Sequence, residues 1–290
     1  MIKVVTDSTG GVPPDIIEKF GIRVVALNVH FGQDRVYRDG LDLTTAQFFE
    51  MLAASAQLPT TSQPSPGQFY KVFDELTQHG DSVVCIVISS GLSGTYQSAL
   101  EASRMLPGAH IAVIDSLSVA GAVAMMVLTA AEMAAAGCSA DEIVSCVEHL
   151  KQHTRLCFVV DTLEYLHKGG RIGAAATLLG TLLKVKPILV VDEGIIKPLD
   201  RVRSKRKAVQ RLISEFEAAA VPGQSLQGMV MHAMVPDEAD ELETEMRQQL
   251  PCQRIIRPDV SAVIGTYTGP GVLAAAICPY RCPGVAETGG

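Results

Sequence analysis

The feature that most restricts what this chain can fold into is an alternation that recurs through its first half. Short apolar runs are each followed by a turn rich in Asp, Ser, Thr or Gly and then by a helical stretch. Ile2–Thr6 leads into Asp7-Ser8-Thr9-Gly10 and a helix over Pro13–Phe20 with prolines in its first turn. Val83–Ile88 leads into Ser89–Thr95 and a helix from Thr95 to Met105; Ile111–Ile114 leads into Asp115-Ser116 and a small-residue helix over Val119–Ala136. Val83–Ile88 and Ile111–Ile114 are apolar at every position, the pattern of strands buried on both faces. Such strands separated by helices make a parallel sheet flanked by helices, and ligands of such sheets bind outside the carboxyl ends of the strands. Here those ends are Asp7-Ser8-Thr9, Ser89–Thr95 and Asp115-Ser116.

The remaining signals fill in the frame. Ile22–Phe31 is β-branched and reads as one strand, and Leu58–Pro64 as a polar loop with two prolines. Thr44 caps a helix to about Ser55, while Ser65-Pro66-Gly67-Gln68 and Ser139-Ala140-Asp141-Glu142 are capping boxes that open two more. The second half has a different character. Pro187–Asp192 and Gly194–Leu199 flank an Asp-Glu-Gly turn and read as a hairpin. Met229–Met234, Ile255–Pro258 and Ala262–Ile264 read as strands, with helices over Ser204–Ala219 and Pro236–Leu250. The expected fold class is therefore α/β in two domains: residues 1–160 as an N-terminal parallel-sheet α/β/α domain, and residues 161–290 as a C-terminal α+β domain with a mixed or antiparallel sheet.

Composition narrows the function classes. Hydrophobic residues make up 48% and charged ones 19%, which excludes extended disorder. A net charge of −7 gives no general attraction to nucleic acid or to an anionic membrane. The longest apolar stretch, Leu117–Ala131, is interrupted by Ser118, Gly121 and Thr129 and falls short of the ~20 residues a bilayer span needs, so it reads as a buried helix. The start shows no apolar signal core, and the expected location is the cytoplasm. The seven cysteines then read as reduced thiols, several in the core; Cys278 and Cys282 alone have the spacing of a weak metal or redox pair, and no histidine stands beside them to make a zinc site. No metal is expected.

Several motifs carry chemistry. Pro59 through Ser65 places four hydroxyls in seven residues, Thr60, Thr61, Ser62 and Ser65, and reads either as a capped surface turn or as a row of donors for an anion. Ser89–Thr95 joins a buried strand to a helix, where glycines let backbone approach a ligand and unpaired N–H groups favour an anion; Ser93 and Gly94 stand at the point of contact. A glycine-rich turn capped by serine is the plainer reading. Gly91-Leu92-Ser93-Gly94-Thr95 also nearly matches the G-x-S-x-G nucleophile elbow, but none of the seven histidines is placed to suggest a triad. Lys168–Gly173 and Gly265–Gly271 are further glycine-bearing turns, and neither fits a nucleotide-binding pattern. Arg171 could pair with an anion or with a partner's acid. Arg201 through Lys207 holds five basic residues in seven and reads as a solvated helix start or as a docking patch for an acidic partner.

Taken in order, these segments resemble the DegV family over about residues 2–280. The resemblance rests on Thr6-Asp7-Ser8-Thr9, Tyr37-Arg38-Asp39-Gly40, Pro59 through Ser65, Ser89 through Ser98, Tyr165 through Ile172, Lys186-Pro187 and Gly269-Pro270-Gly271. It implies a two-domain protein that is not itself an enzyme, that uses no cofactor, and that holds a long-chain fatty acid in a closed apolar tunnel between its domains. The carboxylate would be held by Thr61 and Ser93, with Ser62, Gly94 and Tyr267 close by. Tyr267 stands where the family commonly has a histidine. The resemblance further implies presentation of the bound acid to a separate fatty acid kinase, with Arg171, Arg201 and Arg203 as partner or phosphate contacts. The small-residue stretches Ala122–Ala131 and Ala174–Leu183 could line the tunnel or be ordinary core. Two other readings of the same residues stay open: a serine hydrolase or acyltransferase using Ser93, and a binder of small phosphorylated ligands at the same helix start.

Overall fold

The computed structural model describes residues 1–180 and 185–282. The first half contains β1 (Ile2–Asp7), α1 (Pro14–Phe20), β2 (Arg23–Val25), β3 (Asn28–Phe31), β4 (Arg35–Arg38), α2 (Thr45–Ala54), β5 (Thr60–Ser62), α3 (Pro66–Thr77), β6 (Ser82–Val87), α4 (Thr95–Arg104), β7 (Ile111–Asp115), α5 (Gly121–Ala135) and α6 (Ala140–His153). The second half contains β8 (Arg155–Val159), α7 (Glu164–Lys168), β9 (Lys186–Asp192), β10 (Ile195–Val202), α8 (Lys205–Ala219), β11 (Leu226–His232), α9 (Pro236–Gln249), β12 (Cys252–Ile256), α10 (Ala262–Thr268) and β13 (Leu273–Pro279).

The strands make three sheets. β2-β1-β6-β7 is a parallel four-stranded sheet, as the βα alternation requires. β10-β9-β8-β13-β11-β12 is mixed: all its pairs are antiparallel except β11 with β12. The fold is thus the α/β class expected, with a parallel N-terminal sheet and a mixed C-terminal one. β4-β3-β5 is a small antiparallel sheet beside them.

Helix α5 explains how the two larger sheets are held together. It is apolar all round its circumference and buried on nearly every side, the pattern of a helix enclosed by protein. It packs against β1 and β6 of the first sheet and against β11 and β13 of the second. Its alanines and glycine let both sheets approach closely. The apolar cluster around it continues through both sheets, while separate clusters lie under α3 and α4 on one outer face and under α8 and α9 on the other. Ser65 and Ser139 form the capping boxes read from the sequence, and the Thr44 cap is a third, with Gln47 as its partner.

Four local expectations are corrected. Ile22–Phe31 is not one strand: Arg23–Val25 joins β1 in the parallel sheet, and after Ala26-Leu27 the chain turns into β3 of the small sheet. Leu58–Pro64 is not all loop, because Thr60–Ser62 pairs with β3. Ala262–Ile264 is not a strand but the first turn of α10, capped by Ser261, whose hydroxyl accepts the Ile264 N–H at 3.3 Å. The cysteines are not all free thiols. Cys146 on α6 and Cys282 after β13 are joined in a disulfide, with Cα atoms 5.4 Å apart. Cys278, on β13, stays a buried thiol, pushed up to about 12 by its burial. Among the described residues no helix is long and apolar enough to cross a membrane.

Candidate functional site

Between the two larger sheets lies a cavity of about 80 Å³, counted as the space open to the centre of a water molecule. Residues from many separate parts of the chain face it. One wall is a row across three neighbouring strands. Phe158 on β8 is paired with Ala274 on β13, and Ala274 with Met231 on β11, so all three side chains leave the same face of the sheet. Ala274, with a single methyl, leaves room between its two larger neighbours. Leu27, Ile88 and Val263 contribute from the other side. The alanine-rich stretches singled out in the sequence are not this lining. Ala122–Ala131 is core of α5, with Val119 and Ala120 just before the helix facing the cavity instead; Ala174–Leu178 forms a 3-10 turn outside it. Residues 181–184 lie outside the described residues.

Polar groups gather in one part of the lining. Thr61, Ser93, Arg171 and Tyr267 all face the cavity, although they come from β5, the β6–α4 turn, the turn after α7, and α10. The hydroxyls of Thr61 and Tyr267 are 2.6 Å apart. The Arg171 guanidinium lies 4.9 Å from the centroid of the Tyr267 ring, within cation–π range. It is fixed there by donating Nε to the Leu92 carbonyl at 3.3 Å and Nη1 to the Gly169 carbonyl at 2.9 Å. Gly169 is glycine for a steric reason: a Cβ there would stand 2.4 Å from Cδ1 of the Tyr267 ring. The Ser93 hydroxyl meets that of Thr95 at 2.8 Å. Thr268 also lines the cavity, with its hydroxyl donated back to the Ile264 carbonyl at 3.0 Å.

The other residues named from the sequence stand elsewhere. Ser62 is next to Thr61 on a strand and therefore faces the opposite way. Its hydroxyl is 2.9 Å from Nε2 of His30 and accepts from Nδ2 of Asn28 at 3.3 Å. Gly94 is the residue before α4, and what approaches its Cα is the side-chain amide of Gln63, which would sit 2.3 Å from a Cβ. Gln63 in turn donates to the Ser98 hydroxyl at 3.2 Å, so Gly94 lets β5 and α4 close up rather than touching the cavity. Arg201, on β10, and Arg203, just beyond it, are exposed and away from the cavity. No histidine lines the cavity among the described residues.

Hydroxyls from three separate elements and one guanidinium meeting at an apolar cavity between two sheets form an arrangement that can be compared with known proteins. The model of the family described as "Uncharacterised protein, DegV family" matches residues 1–280. The chain belongs to the DegV family. Protein DegV of Bacillus subtilis is 35% identical over 278 residues, covering 96% of this chain and 99% of that protein. Among solved structures, a DegV family protein of Thermus thermophilus described for its fatty acid binding superposes with a TM-score of 0.92 at 35% identity, covering 96% of this chain and 99% of that one. A stearic acid-binding protein of Eubacterium ventriosum superposes with a TM-score of 0.88 at 27% identity, covering 96% and 98%. This DegV protein thus has the same overall path as relatives that bind long acyl chains.

Proposed function

We propose that this DegV protein binds one long-chain fatty acid, with its carboxylate at Thr61, Ser93, Tyr267 and Arg171 and its acyl chain along the Phe158–Ala274–Met231 row. The observation that carries the reading is the gathering of Thr61, Ser93, Tyr267 and the Arg171 guanidinium in one part of a cavity whose lining is otherwise mostly apolar. Solved relatives described as fatty-acid-binding support it. The energetics are consistent. About fourteen methylenes at ~0.8 kcal/mol each give on the order of 11 kcal/mol as an upper bound for burial. A buried carboxylate costs several kcal/mol unless it is hydrogen-bonded. Hydroxyl donors and the Arg171 cation offset that cost, and the guanidinium is already held in place by two backbone carbonyls.

The protein acts as a carrier rather than as an enzyme. Ser93 has a threonine hydroxyl as its partner, and no histidine among the described lining residues is positioned to take its proton. A small phosphorylated metabolite would leave the apolar walls unused. The carrier presents the carboxylate to a separate fatty acid kinase, with exposed Arg201 and Arg203 as the docking patch. Titration of a sixteen-carbon acid into wild type and Ser93→Ala tests the site. The account expects weaker binding in the variant and no ester turnover by either protein; turnover by wild type that disappears in Ser93→Ala would establish the hydrolase instead.

A further inference from the structure

We infer that Asp39 is the positioning residue of the head-group end: its buried carboxylate, seated against the first turn of α10, sets where Tyr267 stands. The inference rests on the fatty-acid reading and adds to it a residue that does not itself face the cavity.

Asp39 follows β4 and is 2% exposed. Its Oδ1 accepts the Ala262 N–H at 2.9 Å, and its Oδ2 accepts the Ser8 hydroxyl at 2.8 Å. The Ser261 hydroxyl and the Val263 N–H lie beside it and favour its charged form. These donors are all neutral, so the carboxylate is kept in the interior by hydrogen bonds and by the partial positive charge of a helix start. Asp39 also holds a second wall of the cavity. Its own N–H donates to the Leu27 carbonyl at 2.9 Å, and the Ser8 hydroxyl that it accepts from receives the Leu27 N–H at 3.1 Å. One side chain therefore ties Leu27 to the start of the helix that carries Val263, Ile264, Tyr267 and Thr268, all of them lining residues. α10 is only seven residues long, so a shift of its first turn is passed directly to Tyr267. A 2.6 Å contact with Thr61 tolerates little such movement.

The surroundings make this seat sensitive to pH. The cleft around Asp39 also presents Asp7, Arg257 and Asp259. Asp7 is buried, which raises its carboxyl above the usual range against hydrogen bonds from the Thr9 side chain and the backbone N–H groups of Ile88 and Thr9. Arg257 is engaged with Asp240 and Glu243 rather than with Asp39. Burial holds the Asp39 carboxyl up to about 6, against the hydrogen bonds from Ser8 and Ala262. Mild acid therefore protonates the carboxyl inside the fold, where burying the neutral form costs less than burying the charged one.

The test measures the affinity of the full chain for palmitate, and hydrogen exchange of the α10 amides, in wild type, Asp39→Asn, Tyr267→Phe and the double variant. Asp39→Asn should weaken binding by about tenfold and speed exchange in α10 before the rest of the chain. The double variant should bind no more weakly than Asp39→Asn, because the effect passes through Tyr267. Palmitate binding by Asp39→Asn within about twofold of wild type, or losses that multiply in the double variant, would overturn the inference while leaving the carrier reading intact. If Asp39→Asn does not fold, Ser8→Ala removes one donor and should still weaken binding and speed α10 exchange; wild-type behaviour in that variant overturns it too. A wild type that binds no palmitate defeats the carrier reading, and α10 exchange then decides the role of Asp39 alone.

Discussion

The hydroxyls of Thr61 and Tyr267 meet at 2.6 Å across 206 residues of sequence, joining a short strand of the first half to a short helix of the second. This contact closes the polar end of the cavity. Either oxygen can donate in it, which leaves the pair one further donor and free lone pairs for a ligand. With Arg171 on the tyrosine ring, the pair supplies what a carboxylate needs without a buried lysine.

Tyr267→Phe removes one hydroxyl and keeps the ring under Arg171. Fatty acid affinity should fall by about 0.5–1.5 kcal/mol, the usual net value of one hydrogen bond, with little change in thermal stability. Calorimetric titration and a melting curve on the same sample check both halves.

Ala274→Phe fills the gap between Phe158 and Met231. Binding of a sixteen-carbon acid should weaken by more than about tenfold, while overpacking costs about 1–3 kcal/mol of stability. A competition assay with acids of graded length should show the longest ones losing most.

Asp39 makes a pH prediction of definite sign. Its folded-state value, about 6, lies above its ordinary one, so ionisation favours the unfolded chain. The cost is absent below the unfolded value, grows as pH rises from about 4 to about 6, and is constant above; a shift of that size corresponds to about 3 kcal/mol. Urea unfolding of Asp39→Asn against wild type should therefore show the difference moving in favour of the variant across that window. A difference independent of pH would contradict the assignment.

The Cys146–Cys282 disulfide closes a loop of 136 residues. Reduction, or Cys282→Ser, should cost about 2–5 kcal/mol of stability by freeing the unfolded chain. Melting curves with and without a dithiol should differ for wild type and coincide for Cys282→Ser.

Much of the fold could be read from local pattern, since each βα turn announces itself. Ser65 and Ser139 with their Gln68 and Glu142 partners mark helix starts, and the Asp192-Glu193-Gly194 turn marks the hairpin. The failures share a cause. Val263-Ile264 is β-branched and looks like strand until Ser261 is recognised as a cap, because capping outweighs propensity over so short a helix. In a loop nothing local separates the directions of Thr61 and Ser62; pairing of their segment with β3 sends one inward and the other to His30. The Phe158–Ala274–Met231 wall comes from three distant strands whose order no local pattern records. The role of Asp39 was hidden for the same reason, because its partner Ala262 is 223 residues away.

Mass spectrometry of the purified, denatured chain tests the central claim most directly. A long-chain fatty acid should be released in about one-to-one ratio with protein, and less of it from Ser93→Ala and Tyr267→Phe. Release of a phosphorylated metabolite instead, or wild type that carries no acyl chain and takes none up when palmitate is supplied, would contradict it.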